Sequence, residues 1–137
     1  MVVIIPRLYW LSALRNSIKA IASLVLITLS GNAVAHEMTP TYPVFTDSFM
    51  AGISVTTLNL FNKRTDVSYY EIGVFDDEWE PIPFVSQYTI IPMEYLDTLA
   101  FDVYVSNLSL GSVEYICSVS QVQAGATVSS KICSRIK

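Results

Sequence analysis

The sequence predicts an all-β fold: one small sandwich of about seven short strands behind an N-terminal signal peptide. Three observations carry this expectation. The chain opens with a basic stretch, an apolar run and an Ala-x-Ala end. Beyond it, helical periodicity is absent, and glycine and proline punctuate runs of β-branched and aromatic residues. Two cysteines, Cys117 and Cys133, lie symmetrically about Gly125, the pattern of one hairpin clasped by one disulfide.

The leader comes first in chain order. Residues 1–19 carry Arg7, Arg15 and Lys19 and no acid. Ten apolar or weakly polar residues follow, from Ala20 to Leu29, then a polar break at Ser30, Gly31 and Asn32, then Ala33, Val34 and Ala35. That grammar is a secretory signal peptide, residues 1–35. The alternative is an uncleaved membrane anchor, but a span needs about 20 apolar residues and this run is shorter. Cleavage after Ala35 leaves residues 36–137 as a single domain without a membrane segment. The removed segment takes three basic residues with it. Five basic residues then face twelve acidic ones, a net charge of −7. An acidic domain with no basic stripe excludes nucleic acid as an expected partner and disfavours an anionic membrane surface.

The strands follow in order. Residues 36–48 form an extended lead-in interrupted by Pro40 and Pro43. Residues 53–56 alternate, and the apolar phase shifts at Leu58 and Leu60, which predicts a β-bulge. Residues 62–66 are a polar turn. Residues 67–75 are the clearest strand, with Tyr70, Ile72 and Val74 on one face. Asp76, Asp77 and Glu78 turn the chain, and Pro81 and Pro83 limit residues 79–85 to a short edge strand. Residues 88–91 are another short strand closed by Pro92. Residues 100–106 alternate with Phe101, Val103 and Val105 inward. Residues 107–111 are a turn. In the last hairpin Val113, Tyr115, Cys117 and Val119 share one face, and the final strand runs from Val128 to about Ile136. A turn at Gly125 sets Cys117 opposite Cys133, where the disulfide bridges neighbouring strands of one sheet. Short strands with turn signals at this spacing are the pattern of an immunoglobulin-like sandwich.

Chemistry-bearing residues are few, and no enzyme is expected. The domain has one histidine, His36, at its start, where a general base is poorly fixed. Both cysteines are committed to a disulfide, so no thiol nucleophile is free. No glycine cluster forms a phosphate loop. Asp76, Asp77, Glu78 and Glu80 read as a solvated turn, or else as a weak calcium site lacking any defined loop spacing. His36 with its own α-amino group is a weak Cu(II) candidate, but no second histidine completes the ligand set. No cofactor is expected. Asn107, Leu108 and Ser109 match the N-glycosylation triplet. Lys131, Arg135 and Lys137 make a basic end that is a solvated strand face or a carboxylate holder. Tyr69 and Tyr104, on the polar phase of their strands, are candidate surface contacts.

The run Ser68-Tyr69-Tyr70-Glu71-Ile72-Gly73-Val74-Phe75-Asp76, then Ile82-Pro83-Phe84, then Ile90-Ile91-Pro92 and Phe101-Asp102-Val103-Tyr104-Val105, resembles the N-terminal domain of periplasmic pilus-assembly chaperones. The resemblance covers roughly residues 49–119 and is one of strand order and composition. It implies an immunoglobulin-like domain in the periplasm that lends its last edge strand to a pilus subunit. The implied donor residues are Val128, Ile132 and Ile136, with Lys131 placed to hold a terminal carboxylate. The sequence departs from that family in having room for one domain, in lacking any Lys or Arg between His36 and Asn62, and in tying the donor strand by its disulfide. Three readings follow: a protein-binding domain acting by strand addition, a secreted structural or surface-attachment module, and a copper-binding sandwich. The identity of the protein partner and the oligomeric state are not written in the sequence.

Overall fold

The alternating stretches pair into two antiparallel sheets in the computed structural model, which describes residues 35–121 and 128–137. The expected signal peptide falls outside the described residues except for Ala35. The elements are β1 (Glu37–Thr39), β2 (Thr46–Asp47), β3 (Ile53–Phe61), β4 (Tyr69–Phe75), β5 (Val85–Ser86), β6 (Ile90–Pro92), β7 (Thr98–Ser106), a one-turn helix α1 (Asn107–Leu110), β8 (Tyr115–Ser120) and β9 (Lys131–Arg135). One sheet has the order β1-β3-β7-β5, with β2 also on β3; the other has the order β6-β4-β8-β9. This is the immunoglobulin-like sandwich, with nine strands among the described residues because the lead-in and the proline-rich middle each contribute short pieces.

The core lies between the sheets. β4 turns Tyr70, Ile72 and Val74 inward, and β7 turns Phe101, Val103 and Val105 inward, as the alternation requires. Each of these buried side chains contributes about 1.5–3 kcal/mol of transfer free energy. No bulge interrupts β3. Its pairing with β7 runs in constant register from Ile53↔Ser106 to Phe61↔Thr98. The apolar phase shift has a different cause: the inward positions are Ser54, Thr56, Leu58 and Leu60, so two small hydroxyl residues take core places. β8 does the same. Its inward row is Ile116, Ser118 and Ser120, whereas Tyr115, Cys117 and Val119 share the other face. Residues 107–110 form one helical turn, capped at its start by the Ser106 hydroxyl, which accepts from Leu108 N at 3.3 Å.

Asn62 locks the end of β3. Its Nδ2 donates to the carbonyls of Val67 at 3.1 Å and Glu94 at 3.0 Å. Its Oδ1 accepts from the Tyr70 hydroxyl and from Arg64 N at 2.9 Å. Its backbone meets Leu96 N and Asp97 O. A residue the sequence assigns to a surface turn is thus wholly buried, and every polar group it carries has a partner.

Candidate functional site

Two places hold the residues singled out by the sequence: the edge strand β9 and a buried polar cluster beneath it.

β9 is shorter than expected. It starts at Lys131, because Ser129 and Ser130 turn their groups onto Ser120: Ser129 Oγ donates to Ser120 O at 2.8 Å, and Ser130 N donates to Ser120 Oγ at 2.7 Å. Val128 therefore precedes the strand and is exposed. Ile132 and Ile136 turn inward and pack on the core. The register sets Cys117 opposite Cys133, and the disulfide joins them with a Cα–Cα distance of 4.0 Å. Ser120 N donates to Ser130 O and Ile136 N to Glu114 O, so the even-numbered pairs are the hydrogen-bonded ones. The main-chain groups of Lys131, Cys133 and Arg135 consequently point away from β8. Arg135 N donates to Thr41 O at 2.9 Å, and Ser134 Oγ donates to Pro40 O at 2.7 Å. The lead-in covers the C-terminal half of this edge. The half at Lys131 and Cys133 pairs in a sheet with no other strand among the described residues, although β1 passes beside it.

The outer face beside that edge is aromatic and cationic. The Lys131 ammonium lies 4.1 Å from the centroid of Trp79 and 4.7 Å from that of Phe75. Trp79 in turn stacks on Tyr115 at 4.5 Å with the planes 3° apart. Trp79 holds a left-handed φ of 67°, fixed by the acidic turn: Asp76 Oδ1 accepts from Glu78 N at 3.0 Å and Glu80 N at 2.8 Å. Asp76 thus serves the turn itself. Lys63, Arg64 and Arg135 each pair with a carboxylate at 2.6 Å, on Glu37, Asp66 and Glu114. Lys131 and Lys137 instead rest on aromatic rings, the latter on Tyr42.

His36 is not a loose terminus. Only 2% of it is exposed. Its Nδ1 lies 3.0 Å from Ser130 Oγ and its Nε2 2.7 Å from Ser118 Oγ. Its ring leans on Tyr70 with centroids 4.6 Å apart. Burial pushes the imidazole down to about 4; the Ser118 carbonyl opposes this and the nearby Arg64 guanidinium adds to it. Burial likewise pushes the Tyr70 phenol up to about 12. Arg64 completes the cluster, reaching Ser120 and Ser130 while the Asp66 carboxylate holds it charged. Both imidazole nitrogens are engaged by serines, and no group of three His, Cys, Asp or Glu side chains fit to hold a metal occurs among the described residues. The sequence offered no signal for this cluster, because its members lie up to 94 positions apart.

Tyr69 is partly exposed at β4, and Tyr104 lines an apolar groove on the opposite sheet.

No protein-family model matches the chain, and no curated protein is similar to it in sequence. Solved structures do match. One is the crystal structure of the periplasmic chaperone SfaE, with a TM-score of 0.51 and 11% identity over 75% of this chain. The match spans 56% of that chaperone's length. The likeness is one of fold.

Proposed function

We propose that this chain is an exported, non-enzymatic domain that binds a protein partner by adding a strand to the edge of β9. The observation that carries the reading is the half-open edge: the main chain of Lys131 and Cys133 faces away from β8, and the disulfide holds β9 rigid beneath it. A strand added there gains main-chain hydrogen bonds without disturbing the core. The adjoining Trp79, Tyr115 and Lys131 are of the residue types that anchor interfaces. The fold likeness to a periplasmic chaperone and the disulfide support export and a protein partner. A pilus subunit is the finer form of that reading.

Position decides how to test it. A proline at Ile132 would remove an N–H aimed at β8 and break the domain's own ladder. A proline at Lys131 removes an N–H aimed outward. In a pull-down from periplasmic extract, Lys131→Pro should lose a partner that Lys131→Ala retains, with the melting temperature of the two variants alike. Equal capture by both would remove strand addition at β9.

A further inference from the structure

The end of the sandwich where β3 begins and β7 stops carries a surface that strand capture does not use. Residues 48–53 and 106–113 meet there, joined by Asn107 N donating to Gly52 O at 2.9 Å and Ser54 Oγ donating to Asn107 Oδ1 at 2.7 Å. Neither segment contains a charged residue. Both present apolar side chains outward: Phe49 is 87% exposed and Leu108 98%. Beside them runs a groove of about 460 Å³ lined by Met50, Ile53, Phe84, Val85, Tyr104 and Ser106. Val85, on the groove wall, is 68% exposed. Isolated exposed apolar residues need no explanation, but a contiguous apolar patch marks a contact surface.

We infer that this tip is a homodimer interface in which the Leu108 and Phe49 side chains of one copy enter the groove of a second copy, and the reverse. Two features select a second copy as the occupant. Projecting side chains and a receiving groove lie side by side on one end, which is the self-complementary arrangement that a two-fold contact requires. Charge agrees. The domain has an acidic excess, and like-charge repulsion opposes most approaches of two copies. At this tip the two segments are neutral, so an approach here sets no charged side chain of either segment against its copy. The interface is independent of β9. That strand borders β1, at the edge of the first sheet opposite β5, so capture and dimerisation can fail separately.

Sedimentation velocity on the chain as purified from expressing cells tests this, from roughly 1 μM to 1 mM, where interfaces of modest affinity fill. The chain should pass from monomer to dimer across that range. Leu108→Glu and Val85→Glu, both at exposed positions that leave the core intact, should each raise the dimer Kd at least about tenfold, as loss of an interface anchor does. Val128→Glu, equally exposed but beside β9, should leave it within about twofold. A monomer throughout the range would overturn the inference, as would equal weakening by Val128→Glu. Binding of the monomer to neutral phosphatidylcholine vesicles, lost in Leu108→Glu, would overturn it too and assign the tip to a lipid surface.

Discussion

Acid should loosen the His36 anchor well before the carboxylates titrate. The folded imidazole is held at about 4 against 6.5 in the open chain. The sign follows from which state takes the proton. Above pH 6.5 neither state carries it, and the histidine makes no pH-dependent contribution. Between 6.5 and 4 the unfolded chain binds a proton that the folded chain refuses, so stability falls as pH falls. Each pKa unit is worth about 1.4 kcal/mol, and the full difference comes to about 3 kcal/mol. The groups facing the ring reinforce the refusal: Arg64 repels a second cation, and Tyr70, Ser118 and Ser130 supply no carboxylate. Urea melts at pH 7.5, 6.5, 5.5 and 5 measure the slope above most carboxylate titration. His36→Gln should cost stability at neutral pH by losing its serine contacts, and its stability should be nearly flat from pH 7.5 to 5. If His36→Gln keeps the wild-type slope, or if NMR finds the wild-type imidazole titrating near 6.5, the argument from burial is wrong.

Other perturbations separate the remaining supports. Asn62→Ala strands the Tyr70 hydroxyl and two loop carbonyls, and at about 1–3 kcal/mol for each unpaired group it should cost at least about 3 kcal/mol in chemical denaturation. Replacing both cysteines by serine opens the loop between residues 117 and 133, and should lower stability by about 3 kcal/mol without changing the far-ultraviolet spectrum. Asp66 is held below the usual carboxylate range by Arg64, so the stability of that pair is present at neutral pH and is lost as pH falls through its depressed pKa; Asp66→Asn should remove this last acid-dependent step.

The parts of the fold that could be read in advance are those governed by local period. Alternation placed the inward rows of β4 and β7, and the symmetry of Cys117 and Cys133 about Gly125 placed the register of the last hairpin. What escaped the reading depends on partners distant in sequence. Ser54, Thr56, Ser118 and Ser120 occupy inward positions, where a pattern of apolar residues gives the wrong face or a spurious bulge. Hydroxyls are tolerated at Ser118 and Ser120 because His36 and Arg64 arrive to satisfy them. Asn62 resembles a turn residue until Tyr70 and the loop at Glu94 close around it. The site was half legible: Lys131 and Cys133 stand where β9 was expected, but Val128 lies outside the strand and Ile132 and Ile136 serve the core. The apolar groove escaped entirely, since its walls come from three separate stretches of chain.

The ties between the lead-in and β9 also bear on how the chain is made. His36 with Ser130, and Pro40 with Ser134, join residues 94 positions apart. A ribosome adding roughly 5–20 residues each second leaves the earlier member of each pair waiting roughly 5–20 s for the later one. At the end of that interval, after Ser120 and before residues 131–135 are made, β8 has an unpaired edge, Ser120 lacks its Ser130 partner, and the nascent chain is open to wrong strand pairing. The domain is therefore completed only by its last residues, and a holding factor that shields the β8 edge during synthesis should raise its yield more than one that acts on the finished fold.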